Sequence, residues 1–229
     1  MKRVRLDLTT KDIAHLLNHS EKDILQLIKK KDIPFQIIQD KVFFNKHQII
    51  EWALSRSMPI NISGHKKLSE YHVQTLTTLL EKKSFHYNCE LNKSSYIEQM
   101  VSDIDLEKNV DREIIVQLLK NREEMMSTAI GNGISLPHPR VPLMVGKNFP
   151  LIHLFFPEKP LDLKSIDRKP VHTLILLISQ TIKQHLSLIA HLSFLLSNES
   201  FRLVLERRAN YQEILEMINK IENTRGIAK

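Results

Sequence analysis

The stretch LSRSMPINISGHKK at 54–67 shows neither helical nor strand periodicity and holds Pro59, Gly64 and three serines. Such a segment cannot carry a regular element from one side to the other. It therefore divides the 229-residue chain into modules that must each build a core. The expected organisation is a small module over 1–55, a linker over 56–68 and a larger module over 69–226. Charge follows the same division. Residues 1–67 hold 13 Lys and Arg against 7 Asp and Glu, a balance of +6 out of +7 for the whole chain. A basic front and a nearly neutral back indicate different partners, with nucleic acid, an acidic membrane surface or plain solubility all open for the front.

In the front module, Thr9 with Asp12 and Ser20 with Asp23 each have the form of a helix N-terminal capping box. Ile13, Leu16 and Leu17, then Ile24, Leu27 and Ile28, follow at helical spacing. Asn18 between them tolerates a left-handed turn. Two short capped helices joined by a four-residue turn have the grammar of a helix-turn-helix. Next, IPFQIIQDKVFFN alternates as a hairpin turning at Gln39-Asp40, and a third helix carries Ile49, Ile50 and Trp52.

The segments LTTKDIAHLL, SEKDILQLIKKKDIP and IIEWAL resemble the excisionase-type, MerR-like winged helix-turn-helix, with Asp32 standing where that family usually has glycine. The resemblance implies binding of double-stranded DNA. Lys22, Gln26 and Lys30 recur at i, i+4, i+8 on the second helix, opposite its apolar stripe, and are candidates for the groove. Lys29, Lys31 and the wing residue Lys41 are candidates for phosphate contacts.

In the larger module, helical patterns fall at about 69–81, 94–103 and 111–125, and three more close the chain. Strand-like runs are ISL at 134–136, LIHLFFP at 151–157 and VHTLILLIS at 171–179. Helices interleaved with a few buried strands indicate an α+β (α/β-like) domain. The longest apolar run there, LILLI at 174–178, is far too short to span a bilayer, and the N-terminal residues lack the apolar core of a secretory signal. Cys89 is the only cysteine, so no intrachain disulfide forms. The expectation is a cytoplasmic protein without membrane insertion, and a homodimer remains open.

The chain has only five glycines, and two of them stand in STAIGNGISLPHPR at 127–140. His138 lies just past the ISL strand between Pro137 and Pro139, which fix the backbone on both sides of the imidazole. Gly131 and Gly133 permit a tight turn and are expected to bring bare amides toward the ring. A neutral imidazole is a competent nucleophile near pH 7. No HxH or HxxxH spacing around His138 offers further ligands, so no metal and no cofactor is expected. On its own, the histidine also fits a strand cap.

The run LLKNREEMMSTAIGNGISLPH resembles the active-site signature of enzyme IIA domains of the bacterial phosphotransferase system, in the fructose/mannitol/nitrogen-regulatory class. It is carried by Leu118-Leu119, Arg122-Glu123, Ser127-Thr128, Ile130-Gly131-Asn132-Gly133 and Pro137-His138. Downstream, LDLKSIDRKPV and the helix opening with HLSLIAHLSFLL resemble that family's second signature. The resemblance implies a mixed β-sheet flanked by helices and assigns the phosphoryl acceptor to His138. It places His185 beside the acceptor and gives Arg122 the task of neutralising phosphoryl charge. Thr128, Gly131, Asn132 and Gly133 become a phosphate-cradling loop. His172, Pro139 and Arg140 depart from the family pattern. The implied donor is the phosphorylated histidine carrier protein of the system.

Two functions remain open. In one, the chain is a regulator whose DNA binding or contact with a regulated protein depends on His138 phosphorylation. In the other, it is a transport component passing phosphate to a sugar-permease IIB partner. The basic helix-turn-helix favours the regulator, since a permease component has no use for one.

Overall fold

The computed structural model describes residues 7–38, 41–45, 48–49, 52–53, 75–108, 110–140, 142–143 and 150–224. It divides into two compact units, Met1–His72 with Leu186–Ser197, and Val73–His185 with Asn198–Lys229. Leu186–Ser197, within the larger module expected over 69–226, groups with the first unit. The expected linker at 56–68 lies outside the described residues, as do Ile50 and the turn residues Gln39 and Asp40.

The first unit runs β1 (Asp7–Leu8), α1 (Thr10–Leu16), α2 (Glu21–Lys29), β2 (Gln36–Ile38) and β3 (Lys41–Asn45), with helical backbone again at 48–49 and 52–53. Both capping boxes form. The Thr9 hydroxyl accepts the Asp12 N–H while Asp12 accepts the Thr9 N–H at 2.8 Å, and Ser20 and Asp23 repeat the exchange. Each helix ends in a Schellman turn. Asn18 is left-handed at φ 53°, with His19 N–H bonding back to Ala14 C=O at 2.9 Å. Lys31 takes the same role after α2, at φ 54°, with Asp32 N–H bonding to Leu27 C=O at 2.9 Å. The left-handed position is thus Lys31, and Asp32 is the residue after it. The Asp32 carbonyl accepts the Trp52 indole N–H at 2.6 Å, tying the end of α2 to the third helical stretch.

β2 and β3 pair antiparallel with Ile38 opposite Lys41, as a hairpin requires. β1, which no sequence pattern marked, adds to the other edge of β3. Ile13, Leu16, Leu17, Ile24, Phe44 and Ile49 are among the buried apolar residues of this small unit.

The second unit continues with α3 (Leu76–Leu79), β4 (Phe85–Cys89), α4 (Tyr96–Asp103), α5 (Arg112–Met125), β5 (Ala129–Gly131), β6 (Ile134–Ser135), β7 (Leu151–Pro157) and β8 (Thr173–Ile178). Then come α6 (Ile182–Ser197), shared with the first unit, α7 (Glu199–Glu206) and α8 (Tyr211–Thr224). The five strands order β4-β7-β8-β6-β5. β4 is parallel to β7 and β6 to β8, while β7–β8 and β5–β6 are antiparallel. This is the expected mixed sheet flanked by helices.

The central strands are buried along nearly their whole length, which is why LIHLFFP and TLILLI are apolar runs rather than alternations. Leu174, Leu176 and Ile178 of β8 share one apolar cluster with Phe155, with Ile97, Met100 and Val101 of α4, and with Ile115 and Leu119 of α5. Truncating such a leucine to alanine costs about 2–5 kcal/mol. The expected helix at 69–81 is described only over Leu76–Leu79, and β4 was not expected. Among the described residues no single helix is long and apolar enough to cross a membrane.

Candidate phosphoryl-transfer site

Helix α5, capped by Asp111, ends where the site begins. In its last turn, buried Arg122 donates from Nη1 to the Met126 carbonyl at 2.7 Å. Glu123 clasps the exit from the helix. Its Oε2 accepts the Thr128 hydroxyl at 2.6 Å and the Thr128 N–H at 3.0 Å, and its Oε1 accepts the Ser127 hydroxyl at 2.9 Å. The Thr128 and Ser135 hydroxyls stand 3.0 Å apart. Thr128 is therefore committed to holding the helix-to-strand junction. Its carbonyl accepts the Leu136 N–H, so the residues before it run alongside Pro137 and His138. Arg122, bonded to Met126, belongs to that same end of the sheet.

His138 follows β6, and the parallel ladder with β8 continues to it. Ile134 pairs with Thr173, Ser135 with Leu174, and Leu177 N–H bonds to Pro137 C=O at 3.0 Å. His138 Nδ1 lies 2.7 Å from the Leu136 carbonyl. A carbonyl only accepts, so Nδ1 carries the proton and Nε2 carries the lone pair. The His185 ring sits beside it, centroids 5.3 Å apart and planes inclined by 44°. His185 lies in the first turn of α6, whose start is fixed by Gln184 N–H on the Thr181 hydroxyl and Gln180 N–H on the Gln184 side chain. Both rings are buried, His138 at 3% and His185 at 1% exposure.

The Gly131–Asn132–Gly133 turn is placed differently from the expectation. It joins β5 to β6 at the start of β6, while His138 lies past its far end. Five residues of extended chain separate Gly133 from His138, about 16 Å at 3.3 Å per residue. The turn is occupied with the 165–172 loop instead. Asn132 N–H bonds to Asp167 Oδ2 at 2.7 Å, and Gly133 C=O accepts the His172 and Thr173 N–H groups. Burial alone would raise the Asp167 carboxyl. Hydrogen bonds from Ser165, Asn132 and Lys169 outweigh it and hold the pKa below the usual range. Gly131, Asn132 and Gly133 all have positive φ, and a Cβ on Gly133 would stand 2.2 Å from the His172 ring. His172 thus belongs to this structural turn rather than to an edge of the histidine site. The physical reason is strand direction: a turn entering a strand and a residue leaving it lie at opposite ends.

In the first unit, Lys22, Gln26, Lys29, Lys30 and Lys31 are all exposed while Ile24 is buried, and Leu25 is half-exposed among them. Lys41 opens β3, and its side chain lies outside the described residues. Among the described residues no group of three His, Cys, Asp or Glu side chains is placed to hold a metal ion.

Comparison with known proteins agrees with this architecture. Residues 8–57 match the helix-turn-helix domain family. The chain is 31% identical over 150 residues to the PTS system fructose-specific EIIABC component of Bacillus subtilis (strain 168). That match covers 63% of this chain but only 23% of the relative, so the chain spans about a quarter of that protein. It is 25% identical over 135 residues to a nitrogen regulatory protein of Pseudomonas aeruginosa, covering 58% of this chain and 86% of the relative. The crystal structure of nitrogen regulatory protein IIA-Ntr from Neisseria meningitidis shares the fold. It has a TM-score of 0.56 at 19% identity, over 62% of this chain and 98% of that one. Residues 78–221 match the family described as phosphoenolpyruvate-dependent sugar phosphotransferase system, EIIA 2, and with a helix-turn-helix domain in front the chain belongs to that family.

Proposed function

We propose that this chain is a cytoplasmic phosphohistidine carrier that regulates transcription, with His138 as phosphoryl acceptor and the front domain as DNA reader. The observation that carries the first half is the Leu136 carbonyl on His138 Nδ1, beside the His185 ring. The Nε2 lone pair attacks the phosphorus of a phosphohistidine on the carrier protein. The donor P–N bond breaks, and its electron pair returns to the donor imidazole. Nδ1 keeps its proton, so the phosphorylated ring of His138 carries positive charge that the Leu136 carbonyl stabilises. Arg122 at the same end of the sheet and the first turn of α6 favour the dianionic phosphoryl group.

Incubation with phosphorylated carrier protein, followed by mass mapping of acid-labile phosphate, tests this step. Phosphate is expected on His138 in the wild type and absent in His138→Ala, with slower labelling in His185→Ala and Arg122→Gln. Labelling that survives in His138→Ala rejects the assignment.

DNA reading is supported by the helix-turn-helix match and by the exposed row of Lys22, Gln26, Lys29, Lys30 and Lys31. Binding of the full chain to duplex DNA is expected to weaken steeply with salt, by a log–log slope of about 0.9 per phosphate neutralised. Binding indifferent to salt rejects it. A second reading, a transport component serving a sugar-permease IIB partner, is favoured by the match to the fructose-specific component. Transfer of the label from His138 onward to a IIB domain distinguishes it.

A further inference from the structure

One hydroxyl at this end of the sheet has no role in the scheme above. Ser179, directly after β8, is 2% exposed, and its Oγ has no hydrogen-bond partner among the described residues. Its backbone is engaged, since its carbonyl accepts the Leu143 N–H at 2.9 Å, so only the side chain is orphaned. Leaving a buried hydroxyl unsatisfied is unfavourable, and native interiors seldom do so without a reason.

The register shows where this hydroxyl lies. The β6–β8 pairing that sets Ile134 opposite Thr173 and bonds Leu177 N–H to Pro137 C=O brings His138 opposite Leu177. Side chains alternate along a strand, so Leu177 and Ser179 share the face that His138 occupies. Leu174, Leu176 and Ile178 point the other way, into the cluster with α4 and α5. Strands about 4.8 Å apart with a rise of about 3.3 Å per residue put the Cα atoms of His138 and Ser179 about 8 Å apart. An imidazole extended by a phosphoryl group spans such a gap. Six residues past Ser179, His185 returns to the His138 ring.

We propose that the Ser179 hydroxyl donates a hydrogen bond to a phosphoryl oxygen carried on His138 Nε2. This rests on the carrier reading of His138. No proton leaves the serine: the orphaned O–H of the resting protein gains an anionic acceptor when the phosphoryl group arrives. Hydrogen bonds to charged acceptors are the strong ones, so the hydroxyl favours the phosphorylated state over the resting state.

The test is the phosphoryl-transfer equilibrium between the carrier protein and the full chain, read by ³¹P NMR, for wild type, Ser179→Ala and Ser179→Thr. Urea midpoints of the unphosphorylated proteins are measured alongside. In Ser179→Ala the equilibrium is expected to move about tenfold toward the donor. Its phosphohistidine resonance is expected to shift, and its resting stability to hold or rise because the orphan is gone. Ser179→Thr, which keeps the hydroxyl, is expected to recover most of the transfer. An unchanged equilibrium in Ser179→Ala overturns the inference while leaving the carrier reading standing. So does equal loss in Ala and Thr, or a fall in resting stability that matches the loss of transfer. Absence of label on His138 in the wild type overturns both.

Discussion

Replacing Gly133 by alanine separates a structural turn from a phosphate cradle. Gly133 has φ +69°, a left-handed conformation that costs a residue with a Cβ about 1–2 kcal/mol. The new Cβ would also stand 2.2 Å from the His172 ring. That ring is held by its Nδ1 against the Thr173 hydroxyl at 2.9 Å. Displacing it forfeits about 1 kcal/mol of hydrogen bond and about 1 kcal/mol of rotamer strain. Gly133→Ala is therefore expected to lose about 3–4 kcal/mol in urea unfolding of the full chain. In a His172→Ala background only the backbone part remains, so the same substitution is expected to cost about 1–2 kcal/mol, a coupling of about 2 kcal/mol. Labelling of His138, corrected for the folded fraction, is expected to stay unchanged, because the turn lies at the far end of β6. Equal cost in the two backgrounds refutes the packing argument. Lost labelling in a fully folded Gly133→Ala refutes the placement of the turn.

Two further substitutions test local claims. Lys31→Gly is expected to raise stability by about 0.5–1 kcal/mol, because Lys31 holds the left-handed position after α2, whereas Asp32→Gly brings no gain; urea midpoints decide. His153 is pushed down to about pKa 4, first by burial and then by the neighbouring His86, whose Nε2 lies 3.0 Å from its Nδ1. Below about pH 6.5 the unfolded chain takes up a proton that folded His153 refuses. Stability is thus full above pH 6.5 and falls as pH drops toward 4, by about 3 kcal/mol at most. His153→Gln is expected to flatten that part of the urea-midpoint profile, and an unchanged slope argues against the buried pair as its cause.

Local chemistry was legible in the sequence, and strand order was not. The pairs Thr9–Asp12 and Ser20–Asp23 act within three residues, so their spacing alone announces two helix starts. The run TLILLI announces a central strand because burial on both faces needs apolar residues throughout. β4, FHYNC, carries no such signal: it is an edge strand, only partly buried, whose pairing with β7 is decided by residues nearly 70 positions away. β1 is two residues long and exists only through β3. The meeting of the His138 and His185 rings was legible because the two histidines sit in two quotable motifs. The glycine turn sits in the same motif as His138, and proximity in sequence was mistaken for proximity in space. Its true partner, the 165–172 loop, is reached only through the sheet. The left-handed residue after α2 is Lys31, one before Asp32, and with no glycine at 31–32 the sequence does not mark it.

The proposed coupling of the two domains through His138 is tested most directly by the DNA affinity of the full chain in its two phosphorylation states. Phosphorylation adds nearly two negative charges to a chain whose positive charge is concentrated in residues 1–67. Affinity for duplex DNA is expected to fall about 5–150-fold on phosphorylation, the usual range for two coupled sites. His138→Ala is expected to bind as the unphosphorylated protein does, with or without donor. Equal affinities in both states, with His138 fully labelled, would contradict the coupling and leave the two domains merely tethered.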